Sequence, residues 1–135
     1  MKTPWFLVLT LVVTSSLSQE KSVIGDFTKS PTEYIIQQIE KPFEVKSIFG
    51  TIVESGGFHE RMAAVLFEIQ GPGSDRKIRR THTDKNGRFK IGRAPEGVYR
   101  FKATRNGFQS VLGTIHVSKN ADQRQEIKIE MPIGV

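Results

Sequence analysis

The chain has 135 residues, with 20 lysines and arginines against 14 aspartates and glutamates, and it contains no cysteine. This length suits one domain with a single core, and the lack of cysteine excludes disulfides and thiolate metal sites. The net charge of +6 is compatible with acidic partners such as anionic glycans, phospholipid headgroups or nucleic acid, although many soluble domains without such partners carry a similar charge.

The first 18 residues have the pattern of a secretory signal peptide. Lys2 supplies a positive charge, the run Trp5–Val13 is apolar apart from one threonine, and Ser16–Ser18 has the small-x-small form of a cleavage site. The apolar run is well short of the roughly 20 residues that a membrane span needs. We therefore predict an exported protein, secreted or periplasmic, with no stable membrane span after the signal is removed near Gln19.

Residues 19–42 show little periodicity and are interpreted as an N-terminal leader or linker, with an exposed stretch from Gln19 to Ser30. The run Tyr34–Ile39 is compatible with one helical turn or with a short extra strand, because so short a run has no diagnostic period. Pro42 ends it. The folded domain is expected to span residues 43–135.

From Phe43 onward, apolar and polar residues alternate in seven short runs that are separated by turn signals. The third run is strongly polar and is expected at a sheet edge, where charge deters pairing with other edges. Seven such runs, with no long helical pattern, predict an all-β, antiparallel sandwich of two sheets. The expected strands are Glu44–Glu54, Ala64–Gln70, Lys77–Thr83, Arg88–Ile91, Val98–Ala103, Phe108–Val117 and Gln125–Met131.

The fourth and fifth strands are interpreted as a central hairpin. Asp84–Gly87 precedes it and Pro95–Gly97 joins its strands, and both segments end in a glycine that accepts a positive φ. The period of two places Phe89, Tyr99 and Phe101 on a buried face. The basic residues between them are expected on the opposite, exposed face.

Basic side chains are the candidate binding residues. If the polar third strand pairs beside the hairpin, its arginines extend the exposed face of the hairpin into one positive surface. The hypothesised anionic-ligand face consists of Arg79, Arg80, Arg88, Lys90, Arg100 and Lys102. The alternative is a solvated face that keeps an exported protein soluble. Nucleic acid is not expected as a partner, because the hairpin aromatics belong to the buried set and are not placed to stack on bases.

No catalytic or metal-binding pattern is recognisable. His59 is followed by glutamate but lacks the His-Glu-x-x-His spacing, and neither His82 nor His116 has a flanking carboxylate or cysteine. Asp84–Gly87 resembles the start of a calcium loop, but the twelfth position of that loop is Pro95 instead of glutamate. We therefore predict no catalytic residue, no metal and no cofactor.

The order of these turn and core signatures resembles the carboxypeptidase regulatory-like domain. The matching motifs are Ile48-x-Gly50-x-Ile52, Ala64–Ile69, Thr83-Asp84-x-Asn86-Gly87-x-Phe89, Ala94-Pro95-x-Gly97-x-Tyr99 and Gly107-Phe108. The resemblance covers about Phe43 to Met131 and implies a seven-stranded, transthyretin-like Greek-key sandwich. Because every motif forms a turn or the core, the resemblance implies nothing about activity.

The resemblance also extends to collagen-adhesin repeats, in which a catalytic glutamate precedes the Ala-Pro motif by three residues. Ile91 occupies that position here, so a self-formed isopeptide bond is not expected. We predict a non-enzymatic interaction or structural accessory module whose partner is an unknown protein or a cell-surface glycan. The alternative is a carbohydrate-binding-like module for anionic glycan or another acidic surface, with Phe49 and Phe58 as the aromatics expected to be exposed.

Overall fold

The computed structural model describes residues 26–73 and 77–134, and the predicted signal peptide lies outside these residues. The described chain is all β, with nine strands in two sheets. The strands are β1 Ile36–Gln38, β2 Phe43–Val45, β3 Ile48–Glu54, β4 Leu66–Gln70, β5 Ile78–His82, β6 Arg88–Gly92, β7 Gly97–Thr104, β8 Ser110–Val117 and β9 Ile127–Met131. None of the described residues belongs to a helix long and apolar enough to cross a membrane.

The two sheets differ in size. The larger has six strands in the order β1-β8-β7-β4-β5, with β2 also pairing with β8, and the smaller has the order β6-β3-β9. The predicted all-β sandwich is confirmed, but it is not wholly antiparallel. Strands β1 and β2 run parallel to β8, and β9 runs parallel to β3.

Every one of the seven predicted strands is present, with different ends, and the first of them is divided. The predicted strand Glu44–Glu54 corresponds to β2 and β3, which belong to different sheets, so the chain crosses the sandwich at residues 46–47. The run Tyr34–Ile39, which was compatible with a helical turn or a short extra strand, contains β1, so the strand alternative is correct. The polar strand β5 lies at an edge of the six-stranded sheet, as predicted.

The prediction of a central hairpin is wrong. Strand β6 pairs with β3 in the small sheet, whereas β7 pairs with β4 and β8 in the large one. The turn chemistry before β6 is nevertheless as expected: Asp84 Oδ1 accepts hydrogen bonds from the backbone N–H groups of Asn86 at 2.8 Å and Arg88 at 3.0 Å. Gly87 has a φ of 74°, and a Cβ there would lie 2.8 Å from the carbonyl oxygen of Ile52. Turn residues therefore mark where a strand ends, but they do not determine which strand it pairs with.

The core lies between the sheets and is centred on aromatic side chains. The ring of Phe67 stacks on Phe89 and on Phe101, with centroid distances of 4.0 and 5.5 Å. Phe101 also fills the space opposite Gly113, where a Cβ would lie 2.4 Å from its ring. The hydroxyl of buried Tyr99 donates to the carbonyl of Pro95 at 2.7 Å, and burial raises the pKa of this tyrosine. The expected burial of Phe89, Tyr99 and Phe101 is thus confirmed.

Truncation of Phe101 to alanine should lower the free energy of unfolding by about 3–5 kcal/mol, because the cavity between the sheets cannot collapse fully. Val98→Ala, on the same strand but at a side chain that is 53% exposed, is the control and should change it by less than about 1 kcal/mol. Urea unfolding curves measure both. Equal small losses would contradict the assignment of Phe101 to the core.

Candidate binding groove and buried polar network

The six predicted basic residues do not form one face. Arg88 and Lys90 lie exposed on the small sheet, whereas the other four lie on β5 and β7 of the large sheet. The hypothesised continuous surface depended on β6 pairing with β7, and those strands belong to different sheets. The single basic face is therefore corrected to two separate groups.

The arginines of β5 both contact other parts of the protein. The guanidinium of Arg79 donates to the backbone carbonyl of Ile91 at 3.4 Å, across the gap between the sheets. Arg80 donates through Nε to Glu68 Oε2 at 2.7 Å. These contacts hold the two arginines against the fold and leave them less available to a ligand.

Lys102 is buried, in contrast to the expected exposure, and Arg100 is half-buried. The Lys102 side chain is 1% exposed, lies 2.8 Å from a carboxylate oxygen of Glu33 and donates to the carbonyl of Thr28 at 2.9 Å. Lys102 does point away from the core, as its alternation with Phe101 requires. Residues 26–34, here called the N-terminal strap, lie over that outer face. Alternation in sequence shows which side chains share a face of a strand, but it does not show whether each face is buried.

The strap also covers Glu68, which is fully buried on β4. The sheet register places Glu68 between Arg80 and Lys102, and its carboxylate accepts hydrogen bonds from the backbone N–H of Thr28 at 2.9 Å and from the Thr28 hydroxyl at 2.8 Å. On this face, the negative Glu68 therefore lies between the positive Arg80 and Lys102. The strap residues Phe27 and Ser30 are buried too, so the expectation of an exposed leader is wrong for them.

Glu33 completes the network from the strap side. Burial raises its pKa, but hydrogen bonds from Lys102 and Ser110 and the positive charge of Lys102 outweigh burial and hold the pKa below its ordinary value. In the described part of the chain, Thr104 Oγ1 is the one buried side-chain polar atom without a hydrogen-bond partner. The buried charges thus hold the strap on the sheet, and their hydrogen bonds are directed to other protein groups.

An open groove of about 890 Å³ lies on the outer face of the small sheet and along its β6 edge. Its central column is Phe49 and Thr51 of β3, which alternate with the buried residues of that strand. The register places Lys90 beside Phe49 and Arg88 beside Thr51, and an isolated bridge extends the same edge to Arg61. The groove therefore has a column of three cations along one side.

The opposite side of the groove carries Gln123 and Glu126. Glu126 Oε1 accepts a hydrogen bond from the hydroxyl of Thr51 at 3.3 Å. Asp84, at the end of the groove near β5, uses Oδ1 for the backbone N–H groups of Arg88 and Asn86, which hold its pKa below the ordinary value. Both carboxylates that line the groove thus accept hydrogen bonds from the protein. The side chains of Arg61, Arg88 and Lys90 make no direct ion pair with any described residue, although the positive charge of Arg88 also contributes to the lowered pKa of Asp84.

Sequence reasoning identified Arg88 and Lys90 but missed Arg61. Arg61 lies in a loop without alternation, and its place beside β3 comes from pairing with Val53, which no local signal indicates. Of the two aromatics expected to be exposed, Phe58 is 92% exposed and Phe49 is partly exposed within the groove.

The histidines do not come together. His59 and His82 are exposed, and His116 is half-buried with Nδ1 3.6 Å from Glu44 Oε2. Across residues 26–73 and 77–134, no group of three or more histidine, aspartate or glutamate side chains is arranged to hold a metal ion.

Replacement of Lys102 by glutamine should cost about 3–5 kcal/mol of unfolding free energy, because it leaves the Glu33 charge buried without its cation. Lys90→Gln removes the same charge from an exposed position and should stay within about 0.5 kcal/mol of the unmodified protein. Chemical denaturation at neutral pH compares the two variants. An unchanged free energy of unfolding in Lys102→Gln would contradict the buried ion pair.

Glu33 should make stability depend on pH. Because its pKa is lowered by folding, its contribution to stability is complete above the ordinary carboxyl pKa of 4.5 and is lost as the pH falls through the folded pKa. The stability difference between the unmodified protein and Glu33→Gln should therefore be largest near neutral pH and should shrink in acid. Urea unfolding over a pH series measures this, with exposed Glu40→Gln as the control. A difference that does not change with pH would refute the assignment.

No curated protein matches the sequence. Among solved structures, the chain is similar to 3-chlorocatechol 1,2-dioxygenase from Rhodococcus opacus 1CP, with 13% identity, 85% of this chain and 78% of that chain covered, and a TM-score of 0.48. It is also similar to chlorocatechol 1,2-dioxygenase from Pseudomonas putida, with 11% identity, 90% and 77% coverage, and a TM-score of 0.44. Similarity at this level supports no conclusion about function.

The family model of the carboxypeptidase regulatory-like domain matches residues 47–131, which confirms the resemblance found in the sequence. The chain therefore belongs to the carboxypeptidase regulatory-like domain family.

Proposed function

We propose that the protein is an exported, non-catalytic interaction module that binds an anionic partner in the groove of the small sheet. The observation that carries this proposal is the column of Arg61, Arg88 and Lys90, three exposed cations without ion pairs beside a partly exposed aromatic ring. Export is proposed from the sequence pattern of residues 1–18.

The buried charges support binding over catalysis. Glu33 and Lys102 bond to each other, Glu68 bonds to Thr28 and Arg80, and none of the three lines the groove. A general acid or base needs a reacting group within hydrogen-bond reach, whereas these side chains already bond to protein atoms. Their role in the proposal is to hold the scaffold.

The geometry of the groove suits a partner that carries several negative groups. Residues two apart on a strand are about 6.6–6.8 Å apart, so Arg88 and Lys90 can contact neighbouring anionic groups of one ligand. Exposed cations attract such a ligand through a field that salt screens within about 8–10 Å. The partner class is a cell-surface glycan or a protein with an acidic surface. The competing function is a structural accessory module in which these charges serve only solubility.

Retention on a heparin column tests the proposal. Arg88→Gln with Lys90→Gln should lower the salt concentration needed for elution markedly. The matched control is Arg93→Gln with Lys41→Gln, which removes the same two residue types from exposed positions outside the groove. Neither pair should change the melting temperature by much, because exposed charges contribute little to stability.

Equal decreases in the elution salt concentration for the two double variants would show that heparin retention depends on net charge alone. The groove would then have no specific role, and the structural accessory function would be favoured. A larger shift for the groove variant at unchanged stability supports the proposal.

A further inference from the structure

The sides of the groove differ in chemistry. Cations line the β6 side, while Gln123 and Glu126 line the side toward β9; exposed Lys128 of β9 pairs with Thr51 in the sheet register but does not line the groove. A ligand with negative charge on every side would gain from Arg88 and Lys90 but would be repelled by Glu126. The arrangement favours a ligand with acidic groups along one edge and uncharged hydrogen-bond donors along the other, because a carboxylate only accepts hydrogen bonds.

Between these sides lies a surface that can contact a flat ring. Phe49 points away from the core on β3, between buried Ile48 and Gly50, and its ring lines the groove directly beside Lys90. The hydroxyl side chains of Ser47, Thr51 and Thr81 also line the groove. Hydroxyls both donate and accept, so they suit a ligand rich in hydroxyl groups.

We infer that the groove binds an acidic saccharide, a chain of pyranose rings that carry carboxylate or sulfate groups. One ring lies on Phe49, its acidic group contacts Arg88 and Lys90, and its hydroxyls donate to Glu126 and exchange hydrogen bonds with Gln123. This inference rests on the proposed function and specifies its ligand. Acidic peptides and polyphosphates satisfy the cations, but they offer no set of hydroxyl donors for the Glu126 side.

The test compares binding of four soluble probes by isothermal titration calorimetry at one ionic strength. The probes are a uronate oligosaccharide, a sulfated oligosaccharide, oligoglutamate and polyphosphate, matched in number of charges. A saccharide should bind most tightly, and the first two probes show whether the acidic group is a carboxylate or a sulfate.

Two substitutions separate the contacts within the site. Phe49→Val should weaken saccharide binding about tenfold, the loss typical of an aromatic anchor, whereas Phe58→Val removes an exposed phenylalanine outside the groove and should have no effect. Glu126→Ala should weaken saccharide binding because it removes a hydroxyl acceptor. For a simple polyanion the same substitution should strengthen binding, because it removes a repulsive charge. Melting temperatures verify that each variant is folded.

The outcomes separate this inference from the proposed function. Saccharide preference with losses in both Phe49→Val and Glu126→Ala supports it. If oligoglutamate or polyphosphate binds at least as tightly and Glu126→Ala strengthens binding, the saccharide is excluded but the anionic groove stands. If no probe binds, or if Arg88→Gln with Lys90→Gln leaves all binding unchanged, the proposed function itself falls.

Discussion

The pairing of Lys102 with Glu33 is the constraint on which the large sheet depends. A lysine at the centre of a sheet face can be buried only if its charge is compensated, since an unpaired buried charge costs several kcal/mol. The compensating carboxylate comes from the N-terminal strap, 69 residues away in sequence. The strap is therefore part of the folded unit, even though the family match begins only at residue 47.

This constraint gives the two sheets different roles. The centre of the large sheet is covered on both faces, by the small sheet on one side and by the strap on the other. The small sheet has a core face and an open outer face, so substitutions on the open face leave the core intact. Lys102 is buried because the strap covers it, whereas Arg88 and Lys90 lie on the open face of the small sheet and stay exposed.

Local pattern was enough to predict the strands and the inward aromatics, because alternation and turn residues act within a few positions of one another. It was not enough to predict pairing: β6 and β7 follow each other in sequence and alternate regularly, but they separate into different sheets. The same limit explains the other differences. The burial of Lys102 depends on the strap, and the place of Arg61 depends on a bridge to Val53; both are set by contacts between distant segments.

The strap also has a consequence for the order of events in folding. Its hydroxyl and carboxylate groups bond to Glu68, Lys102 and Ser110, which lie 40, 69 and 77 residues further along the chain. The strap is synthesised before these strands, yet its binding surface does not exist until β4, β7 and β8 have been synthesised and aligned. Closing such long loops is entropically costly before the sheet is in place. The strap is therefore among the last parts of the described chain to be fixed, although it precedes every strand in sequence.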